Sequence, residues 1–358
     1  MKHAHRKDGA AMVRFEMELR RRMETGEGWT EFAASNYLTS LRMAQKDCLG
    51  ASFETIAAYG ANAAMMHYAP MKDTCAELEP RGFLLVDSGG QYRDGTTDIT
   101  RTYALGPLTD EEREAYTLVL KCHIAAARAV FKAGSAGMHI DILARETLWR
   151  RGLDYRCGTG HGVGFVGVIH EGPQGLSAKN DTPFEPGMTV TDEPGIYEEG
   201  KLGVRIENEL LCVPVCETEY GAFYGFEPFT YCPIDTRPLK LELMTREELE
   251  WLERLCPRAE LHVLRVPAAM TDLMGSLALE DEPLRELYRT LRRGGGSSLV
   301  ELARGCGLTV EQTLVGLTAF AQVRLVEFRL SPFTLRMLPP VKCAMADSSL
   351  IRYLRMRA

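Results

Sequence analysis

Four acidic residues stand at the ends of apolar runs, where a charged side chain is normally excluded. Asp87 follows FLLV, Asp98 precedes ITRTY, Glu193 follows MTVTD, and Glu207 follows GVRI. Runs of this kind are typical of buried strands, so these carboxylates are not expected to be fully solvated. A buried carboxylate is costly unless a cation or hydrogen-bond donors compensate it. We therefore ask which chemistry needs carboxylates at these positions.

A chain reversal would bring the first two carboxylates together. Paired residues in an antiparallel hairpin have a constant sum of residue numbers, so a reversal near residues 90 to 95 puts Asp87 and Asp98 roughly opposite each other. Asp94 and the glycine after it supply turn chemistry. The sequence predicts a hairpin with its turn at residues 92 to 95.

The same arithmetic applies to the second pair of carboxylates. Glu193 and Glu207 are centred on Gly200, which lies within the turn-like sequence YEEGKL between two short β-branched runs. A second hairpin would place these two side chains face to face. Together the two hairpins offer four carboxylates to one site.

Clustered carboxylates repel one another, and burial raises their pKa, unless positive charge is supplied. Two divalent ions would supply it. His161 is the candidate nitrogen ligand, because its glycine neighbours in GHGVG allow close approach to a ligand. Four carboxylates with one imidazole favour manganese, with cobalt, iron or zinc as alternatives. Two such ions about 3.5 to 4 Å apart activate a shared water, so the pattern predicts hydrolysis.

Each residue has a simpler interpretation when it is taken alone. Asp87 is more often a turn former than a ligand, and Asp94 is interpreted only in that way. Glu193 could belong to a loop, and Glu207 could pair with Arg205 in a structural salt bridge. Only the joint pattern favours a metal site.

The histidines other than His161 divide into two groups. His67 and His170 precede proline-containing loops, where a lone histidine is no more often functional than structural. The others are interpreted as surface or packing residues: His3, His5, His123, His139 and His262.

The elements around these residues predict an α+β domain with antiparallel hairpins, because strands and helices mix without regular alternation. A capping box at Thr109 begins a helix that we expect to end near Lys132. A second helix is predicted over residues 141 to 151, and a third begins at the capping box of Thr245. The apolar side of the second helix is predicted to contain Ile142, Leu143, Leu148 and Trp149.

The composition changes near residue 256. From Cys256 onward, 14 Lys and Arg face 10 Asp and Glu, a net charge of +4, whereas the whole chain carries −7. From Pro283 the pattern is three helices followed by a strand pair, the order of a winged helix-turn-helix. We expect a catalytic domain over residues 1–255, a linker over 256–282 and a winged-helix-like module over 283–358.

Composition places the chain among ordinary soluble proteins. Apolar residues make up 45% and charged residues 25% of the 358 residues, and ten cysteines show no CxxC pair. The charged N-terminus lacks a secretion signal, and no stretch approaches the roughly 18 apolar residues of a membrane span. We expect a cytoplasmic protein without membrane contact.

At this point the motifs resemble a known family. DSGGQYRDGTTDITRT, GTGHGVG with IHEGP, TVTDEPGIY, GVRIENELL and MMHYAP resemble the creatinase/aminopeptidase, or pita-bread, metallopeptidases, and within them the Xaa-Pro aminopeptidases. The resemblance runs from about His5 to Leu252. It implies a pita-bread fold and removal of an N-terminal residue that precedes proline, so peptides with proline in second position are the expected substrates.

The resemblance also implies roles for individual residues. Asp87 would bind one ion, Asp98 and Glu207 would bridge both, and His161 with Glu193 would complete the shell of the second, around a bridging hydroxide. Glu193 would also carry a proton. The remaining implied roles are substrate contact for His67 and His170, and orientation of the carboxylates for Arg205.

Two departures from the family pattern bear on activity. The position four residues before His161 is a substrate-contacting histidine in the family and is Cys157 here, which bears on rate and substrate preference. The chain begins where the family's catalytic domain begins, so the resemblance implies that the N-terminal domains are absent and that activity is weak.

The C-terminal segment has a separate resemblance. Residues 284–328 and the tail DSSLIRYLRMRA resemble the C-terminal region of the RecJ single-strand exonuclease, without that enzyme's catalytic motifs. A dimerisation module is one interpretation, and nucleic-acid binding is a less favoured one given the small positive charge. The alternatives for the whole chain are a prolidase-type Xaa-Pro dipeptidase, or a weakly active or non-catalytic binding protein with a nucleic-acid-binding tail.

Overall fold

The computed structural model describes residues 1–255 and, beyond them, 286–287, 289–291, 298–310, 312–314, 316–317, 326–330 and 333–337. The chain divides into two compact units, Met1–Leu249 and Glu250–Ala358. In the described ranges, every strand pair is antiparallel, which confirms the predicted α+β class with antiparallel hairpins.

The first part of the larger unit pairs two helices with six strands. Thr30 caps the second helix by accepting a hydrogen bond from the amide of Ala33 at 3.2 Å. A short 3-10 helix, Gly60–Ala64, follows the second strand. The elements are α1 (Lys2–Thr25), α2 (Glu31–Met43), β1 (Cys48–Ala51), β2 (Ile56–Tyr59), β3 (Phe83–Ser88), β4 (Gly90–Tyr92), β5 (Gly95–Thr96) and β6 (Ile99–Ala104).

The second part has three helices and eight strands. A second 3-10 helix, Leu241–Leu243, precedes the last helix of this part. The elements are α3 (Asp110–Ala127), β7 (Val130–Lys132), α4 (Gly137–Trp149), β8 (Gly160–Val163), β9 (His170–Leu176), β10 (Thr189–Asp192), β11 (Gly195–Glu198), β12 (Leu202–Arg205), β13 (Asn208–Thr218), β14 (Gly221–Pro228) and α5 (Arg246–Leu255).

The strands form several small sheets and one larger sheet. The first part has the strand orders β2-β3-β6 and β1-β4-β5. The second part has a six-stranded sheet of order β7-β14-β13-β10-β8-β9 and the two-stranded β11-β12. Helices α1 and α2 cover the first part with a buried core that includes Phe15, Leu38, Leu84, Val86 and Tyr103. Strand β3, which contains Asp87, and strand β6, which follows Asp98, are buried along their whole length.

The predicted helix ends are partly wrong. The capping box at Thr109 is confirmed, since its hydroxyl accepts from the Glu112 amide at 3.2 Å and Glu112 accepts from the Thr109 amide at 2.7 Å. However, α3 ends at Ala127, and Val130–Lys132 form the edge strand β7 instead of a last helical turn. Tertiary pairing of β7 with β14 overrides the local helical pattern there.

The predicted apolar face of α4 is wrong. Of the four residues assigned to it, only Leu148 is buried, whereas Ile142, Leu143 and Trp149 are between 45% and 48% exposed. The buried face contains the ion pair of Asp141 and Arg145, with 2.7 Å between Oδ2 and Nε. A buried charged pair cannot be recognised from hydrophobic periodicity, which is why the face was misassigned.

The smaller unit is described only in segments. Ser298 caps α6 (Leu299–Cys306), as the sequence predicts, by accepting from the amide of Glu301 at 3.2 Å. The predicted strand pair is present as β15 (Val326–Leu330) and β16 (Phe333–Met337). The rest of the predicted winged-helix-like module and the linker over 256–282 lie largely outside the described residues.

Crossing a bilayer requires a helix of sufficient length and apolarity. Among the described residues, no helix combines the two to the degree needed to cross a membrane.

Candidate metal centre

The first hairpin supplies Asp87 and Asp98. β3 and β6 pair with a residue sum of 187, so that Asp87 faces Thr100, and β4 and β5 continue with the same sum and close the predicted turn between Tyr92 and Gly95. Asp87 and Asp98 are therefore diagonal neighbours, offset by two residues from the opposite pairing that we predicted. An offset of two keeps both side chains on one face of the sheet, so the carboxylates still converge.

Asp98 lies opposite Gly89, where no side chain fits. A Cβ atom built on Gly89 would lie 1.8 Å from the carbonyl oxygen of Thr97. Between Gly89 and Asp98 the ladder leaves the β2-β3-β6 sheet and continues in the β1-β4-β5 sheet. The carboxylate of Asp98 thus stands at a break between two sheets, opposite a residue that has no side chain.

The second hairpin supplies Glu193 and Glu207. β10 pairs with β13 and β11 pairs with β12, both with a residue sum of 400, so the predicted centre at Gly200 is confirmed. Glu193 and Glu207 also sum to 400 and lie between the two ladders. They are opposite each other at a second break between sheets.

His161 approaches from β8, the neighbour of β10. Its Nε2 lies 3.4 Å from Asp98 Oδ2 and 3.3 Å from Glu193 Oε1. Its Nδ1 is 2.9 Å from the carbonyl oxygen of Gly162, which as an acceptor assigns the proton to Nδ1. Nε2 therefore faces the carboxylates with a free lone pair, as a metal ligand requires.

The residues converge on one point. Ligand atoms of Asp98, His161 and Glu207 all lie within 4.8 Å of one another. Asp98 is 4% and Glu207 1% exposed, so solvent does little to screen their charges. Three ligand types from three separate chain segments thus face one small volume.

The site concentrates negative charge. Burial, with the nearby Asp87 and Glu193 carboxylates, raises the pKa of Asp98 well above its usual value. Burial and the carboxylate of Asp98 raise the pKa of Glu207 well above its usual value as well. Burial also raises the pKa of Glu193. In the absence of cations, these groups would hold protons that a divalent ion could displace.

Hydroxyl groups orient the two glutamates. The Thr191 hydroxyl donates to Glu193 Oε1 at 2.9 Å and accepts from the His161 amide at 3.0 Å. The Thr100 hydroxyl donates to Glu207 Oε2 at 2.7 Å. Each glutamate therefore has one carboxylate oxygen fixed by the protein, and the other remains for a ligand.

Each hairpin contains a buried arginine that donates hydrogen bonds to the other hairpin. Arg205 in β12 donates from Nη2 to Asp87 Oδ2 at 2.6 Å, and within the described residues it forms no ion pair with Glu207. Arg101 in β6 donates to the carbonyl oxygen of Glu207 at 2.5 Å and to Asn208 Oδ1 at 2.8 Å. These reciprocal contacts hold the two hairpins in register with each other.

Asp87 retains an orphan oxygen. Its Oδ1 is buried and makes no hydrogen bond within the described residues, although Oδ2 is bound by Arg205. A buried, unpaired carboxylate oxygen is costly and requires an explanation. A cation next to Oδ1 would provide one.

His67 and His170 lie at the exposed side of the site. The ring centroids of His170 and His161 are 4.1 Å apart, at an interplanar angle of 69°. Partial burial, with the nearby His161 and His67, lowers the pKa of His170. Both residues are exposed, which leaves them accessible to a substrate.

Most of the chain matches a known protein family. Residues 1–214 match metallopeptidase family M24, and residues 222–257 match the C-terminal region of peptidase M24. The chain belongs to metallopeptidase family M24. The M24 match spans all four carboxylates and His161.

Curated M24 relatives are named for an Xaa-Pro activity. Aminopeptidase P1 from Arabidopsis thaliana is 42% identical over 279 residues, covering 70% of this chain and 43% of the relative. A probable Xaa-Pro aminopeptidase P from Fusarium vanettenii is 44% identical over 260 residues, covering 70% and 42%. The chain thus spans less than half the length of these relatives.

Solved structures agree on the fold. X-prolyl aminopeptidase from Caenorhabditis elegans, described as a cytosolic enzyme with a di-nuclear active site, has a TM-score of 0.68 at 33% identity and covers 85% of this chain and 46% of its own. An Xaa-Pro dipeptidase from Bacillus anthracis has a TM-score of 0.54 at 32% identity, covering 65% and 60%. The predicted pita-bread catalytic domain is confirmed.

Several residues that contact the ligands of this M24 site were not predicted from the sequence. Glu209 accepts from the Asp98 amide at 3.0 Å and lies 3.0 Å from Nε2 of His5, which is completely buried. Glu209 is two residues after Glu207, so the period of a strand gave a signal for a shared face. His5 offered no such signal, because its partner is 204 residues away.

Cys157 lies beside the M24 site, and its backbone is held by a side chain of α4. Arg145 of α4 donates to the carbonyl oxygens of Tyr155 at 2.7 Å and Cys157 at 2.6 Å, which fixes the segment before His161. Burial, with the Glu193 carboxylate nearby, raises the pKa of the Cys157 thiol to about 11. Near neutral pH this thiol is uncharged and could act only as a weak hydrogen-bond donor or acceptor.

The loop that carries His67 is anchored by another missed residue, Glu31. This carboxylate is completely buried, and it accepts from the Tyr68 hydroxyl at 2.6 Å, from Asn62 Nδ2 at 3.0 Å and from the Ala76 amide at 2.8 Å. Partners from both ends of the loop are thus gathered on one carboxylate of α2. Glu31 therefore restricts where the loop can present His67.

Proposed function

We propose that this protein is a metal-dependent aminopeptidase that hydrolyses the bond between an N-terminal residue and a following proline. The observation that carries the proposal is the convergence of Asp98, His161 and Glu207 within 4.8 Å, at the junction of two hairpins. The names of the M24 relatives, aminopeptidase P and X-prolyl aminopeptidase, support this substrate class.

The residues present fit two divalent ions. The donor set contains four carboxylates and one imidazole with a free Nε2, and a buried oxygen of Asp87 lacks a hydrogen-bond partner among the described residues. Two cations would offset the burial and the mutual repulsion that raise the pKa of Asp98 and Glu207. The di-nuclear active site of the Caenorhabditis elegans enzyme supports the same number. We propose manganese first, with cobalt, iron or zinc as alternatives.

We propose that the ligands divide as the family pattern implies. Asp87 would serve one ion, Asp98 and Glu207 would bridge both, and His161 with Glu193 would serve the second. When bound, the two ions would polarise the scissile carbonyl and lower the pKa of a water.

The other residues of the site would act on the substrate or on the ligands. Glu193 would accept a proton on its carboxylate, which the Thr191 hydroxyl orients through Oε1. His67 and His170 would contact the substrate from the exposed side. Arg205 would hold Asp87 in the orientation that a ligand requires.

A prolidase-type dipeptidase is the second candidate. The Bacillus anthracis Xaa-Pro dipeptidase and the prolidase from Pyrococcus furiosus, the latter at a TM-score of 0.51 and 28% identity, support it. The two activities differ in whether the proline carries a further residue. Cleavage rates of an Xaa-Pro dipeptide and an Xaa-Pro-Xaa tripeptide therefore distinguish them.

A weakly active or non-catalytic binding protein is the third candidate, because Cys157 stands where the family has a substrate-contacting histidine. Asp98→Asn, which keeps the size but removes the charge, separates a metal-dependent enzyme from a non-catalytic binding protein. The expected result is manganese-dependent tripeptide cleavage by the wild type, with loss of cleavage and of bound metal in the variant. Asp181→Asn, at an exposed aspartate, is the matched control and should behave as the wild type. A wild type without activity or metal would refute the proposal.

For the chain as a whole, we propose the domain limits 1–255, 256–282 and 283–358 and a cytoplasmic location. A second copy of the chain is the favoured partner of the C-terminal module, and nucleic acid is less favoured because the net charge from Cys256 onward is only +4. Light scattering of the full chain, and a gel shift with single-stranded DNA at low and high salt, test these two partners. No gel shift at low salt would exclude the nucleic acid.

A further inference from the structure

A chain of buried polar side chains lies beneath the two strands that carry Glu193 and Glu207. His123 of α3 is completely buried between Asp192 and Asn208, which are paired across β10 and β13. Successive residues of a strand point to opposite faces. Asp192 and Asn208 thus face α3, while the adjacent Glu193 and Glu207 face the metal centre.

The contacts determine which nitrogen of His123 carries the proton. Arg101 Nη2 donates to Asn208 Oδ1 at 2.8 Å, and a guanidinium group can only donate. Oδ1 of the amide therefore faces Arg101, and Nδ2 donates to His123 Nε2 at 2.9 Å. With Nε2 as acceptor, a neutral imidazole carries its proton on Nδ1.

The Nδ1 proton is directed at the peptide group that precedes Glu193. His123 Nδ1 lies 3.0 Å from the carbonyl oxygen of Asp192 and 3.1 Å from Asp192 Oδ2. The amide of Glu193 donates to the carbonyl oxygen of Thr159 at 2.7 Å. Both ends of this peptide group are therefore held, and its orientation sets the direction in which the Glu193 side chain leaves the backbone.

The backbone at Glu207 is held in the same way from the other end of the chain of contacts. Its amide donates to the carbonyl oxygen of Thr100 at 3.1 Å, and its carbonyl oxygen accepts from Arg101 at 2.5 Å. A continuous series of polar contacts thus runs from the backbone of Glu207 to the backbone of Glu193, through Arg101, Asn208, His123 and Asp192. His123 is the member supplied by a different layer, the helix α3.

We propose that His123, as the Nδ1-protonated tautomer, is a positioning residue that fixes the spacing of the Glu193 and Glu207 carboxylates and thereby sets the affinity of the site for divalent metal. This inference rests on the proposed function, because it requires these glutamates to be ligands. It assigns a role to a histidine that the sequence analysis interpreted as a surface or packing residue.

Three substitutions separate positioning from packing. The amide nitrogen of asparagine can replace Nδ1 as a donor to Asp192, that of glutamine reaches the Nε2 position instead, and leucine removes both contacts. His123→Leu should weaken Mn²⁺ binding about 10- to 100-fold, the range for residues that orient metal ligands. His123→Asn should recover most of this loss, and His123→Gln should not.

The measurements use the full chain stripped of metal. Calorimetric titration with Mn²⁺ gives the dissociation constant, and thermal unfolding without metal reports the contribution of packing. His139→Leu, at an exposed histidine of α4, is the matched control and should bind Mn²⁺ as the wild type does. The ¹⁵N signals of the His123 ring in the metal-free protein read the tautomer directly.

The outcomes are separable. A wild type that binds no Mn²⁺ overturns the proposed function and this inference with it. A wild type that binds Mn²⁺, with unchanged affinity in His123→Leu, overturns the inference alone. If the leucine variant does not fold, the inference stands when His123→Asn binds more tightly than His123→Gln and falls when it does not. A ring protonated at Nε2 also overturns it.

Discussion

The two hairpins that carry the carboxylates solve the same problem with different geometry. In the second hairpin both carboxylates, and in the first only Asp98, stand where a ladder leaves one sheet and continues in another. In the second hairpin, Glu193 and Glu207 are directly opposite. In the first, Asp98 faces Gly89, and Asp87 faces Thr100. A break in a sheet frees side chains from the close packing of a ladder, and the register then decides whether two of them meet directly or diagonally.

The arginines show that the two hairpins also depend on each other. Arg205 of the second hairpin binds Asp87 of the first, and Arg101 of the first binds the backbone of Glu207 in the second. The four carboxylates are thus held by contacts between the hairpins as much as within them. Substitutions in one hairpin should therefore change the stability of the protein or its affinity for Mn²⁺.

Arg205→Met should have the largest effect on stability. It removes the partner of the buried Asp87 carboxylate and leaves that charge unpaired, a change that costs about 3 to 5 kcal/mol of unfolding free energy. Urea unfolding of the metal-free protein measures it. Arg20→Met, which removes a partly exposed helix pair with Glu16, is the control and should cost well under about 1 kcal/mol. Equal losses in the two variants would contradict a bracing role for Arg205.

The two glycines at the hairpins should differ in their tolerance of alanine. Gly89→Ala places Cβ 1.8 Å from a backbone oxygen, and we expect a loss of about 3 kcal/mol because backbone must shift. Gly200 has φ +72° and no atom within 4 Å of a built Cβ, so Gly200→Ala should cost only about 1 kcal/mol of backbone strain. The reverse order in chemical denaturation would show that the break in the first hairpin can adapt.

Manganese should stabilise the two hairpins as one unit. At a free concentration 100 times the dissociation constant, it should raise the unfolding free energy of the wild type by about 2.7 kcal/mol. Asp98→Asn in the first hairpin and Glu207→Gln in the second should each abolish this gain, because both are proposed to share the ions. Thermal unfolding with and without Mn²⁺ measures the effect. A gain that survives one substitution would assign the metal to a single hairpin.

Thr100→Val should have the smallest effect. Valine keeps the shape of threonine but removes the hydroxyl that donates to Glu207 Oε2, at a cost of about 1.5 kcal/mol for a hydrogen bond to a charged group. The larger sign should be weaker Mn²⁺ binding, since Glu207 loses its orientation. Thr25→Val, whose exposed hydroxyl only contacts a local carbonyl oxygen, is the control. Unchanged Mn²⁺ affinity in Thr100→Val would remove this threonine from the site.

The failures of sequence reasoning share one feature. The prediction of the buried face of α4 is wrong because Asp141 and Arg145 are buried there as an ion pair. Arg145 also holds the segment that leads to His161. His5 and His123 were interpreted as surface or packing residues because their partners, Glu209 and Asn208, are more than 80 residues away. In each case a charged or polar group is buried against a partner, four residues away in α4 and more than 80 residues away for the two histidines, and hydrophobic periodicity does not reveal such a pair.

By itself, the sequence determined the acidic residues at strand ends, the turn at Tyr92 to Gly95 and the second hairpin centred on Gly200, because turn residues and residue parity act over short distances. Its motifs also indicated the family. Only the tertiary structure decided the diagonal register of Asp87 and Asp98, the exchange of Arg101 and Arg205, and the place of His123 beneath the glutamates. Those features depend on which distant segments are buried against each other, and burial is a property of the whole fold.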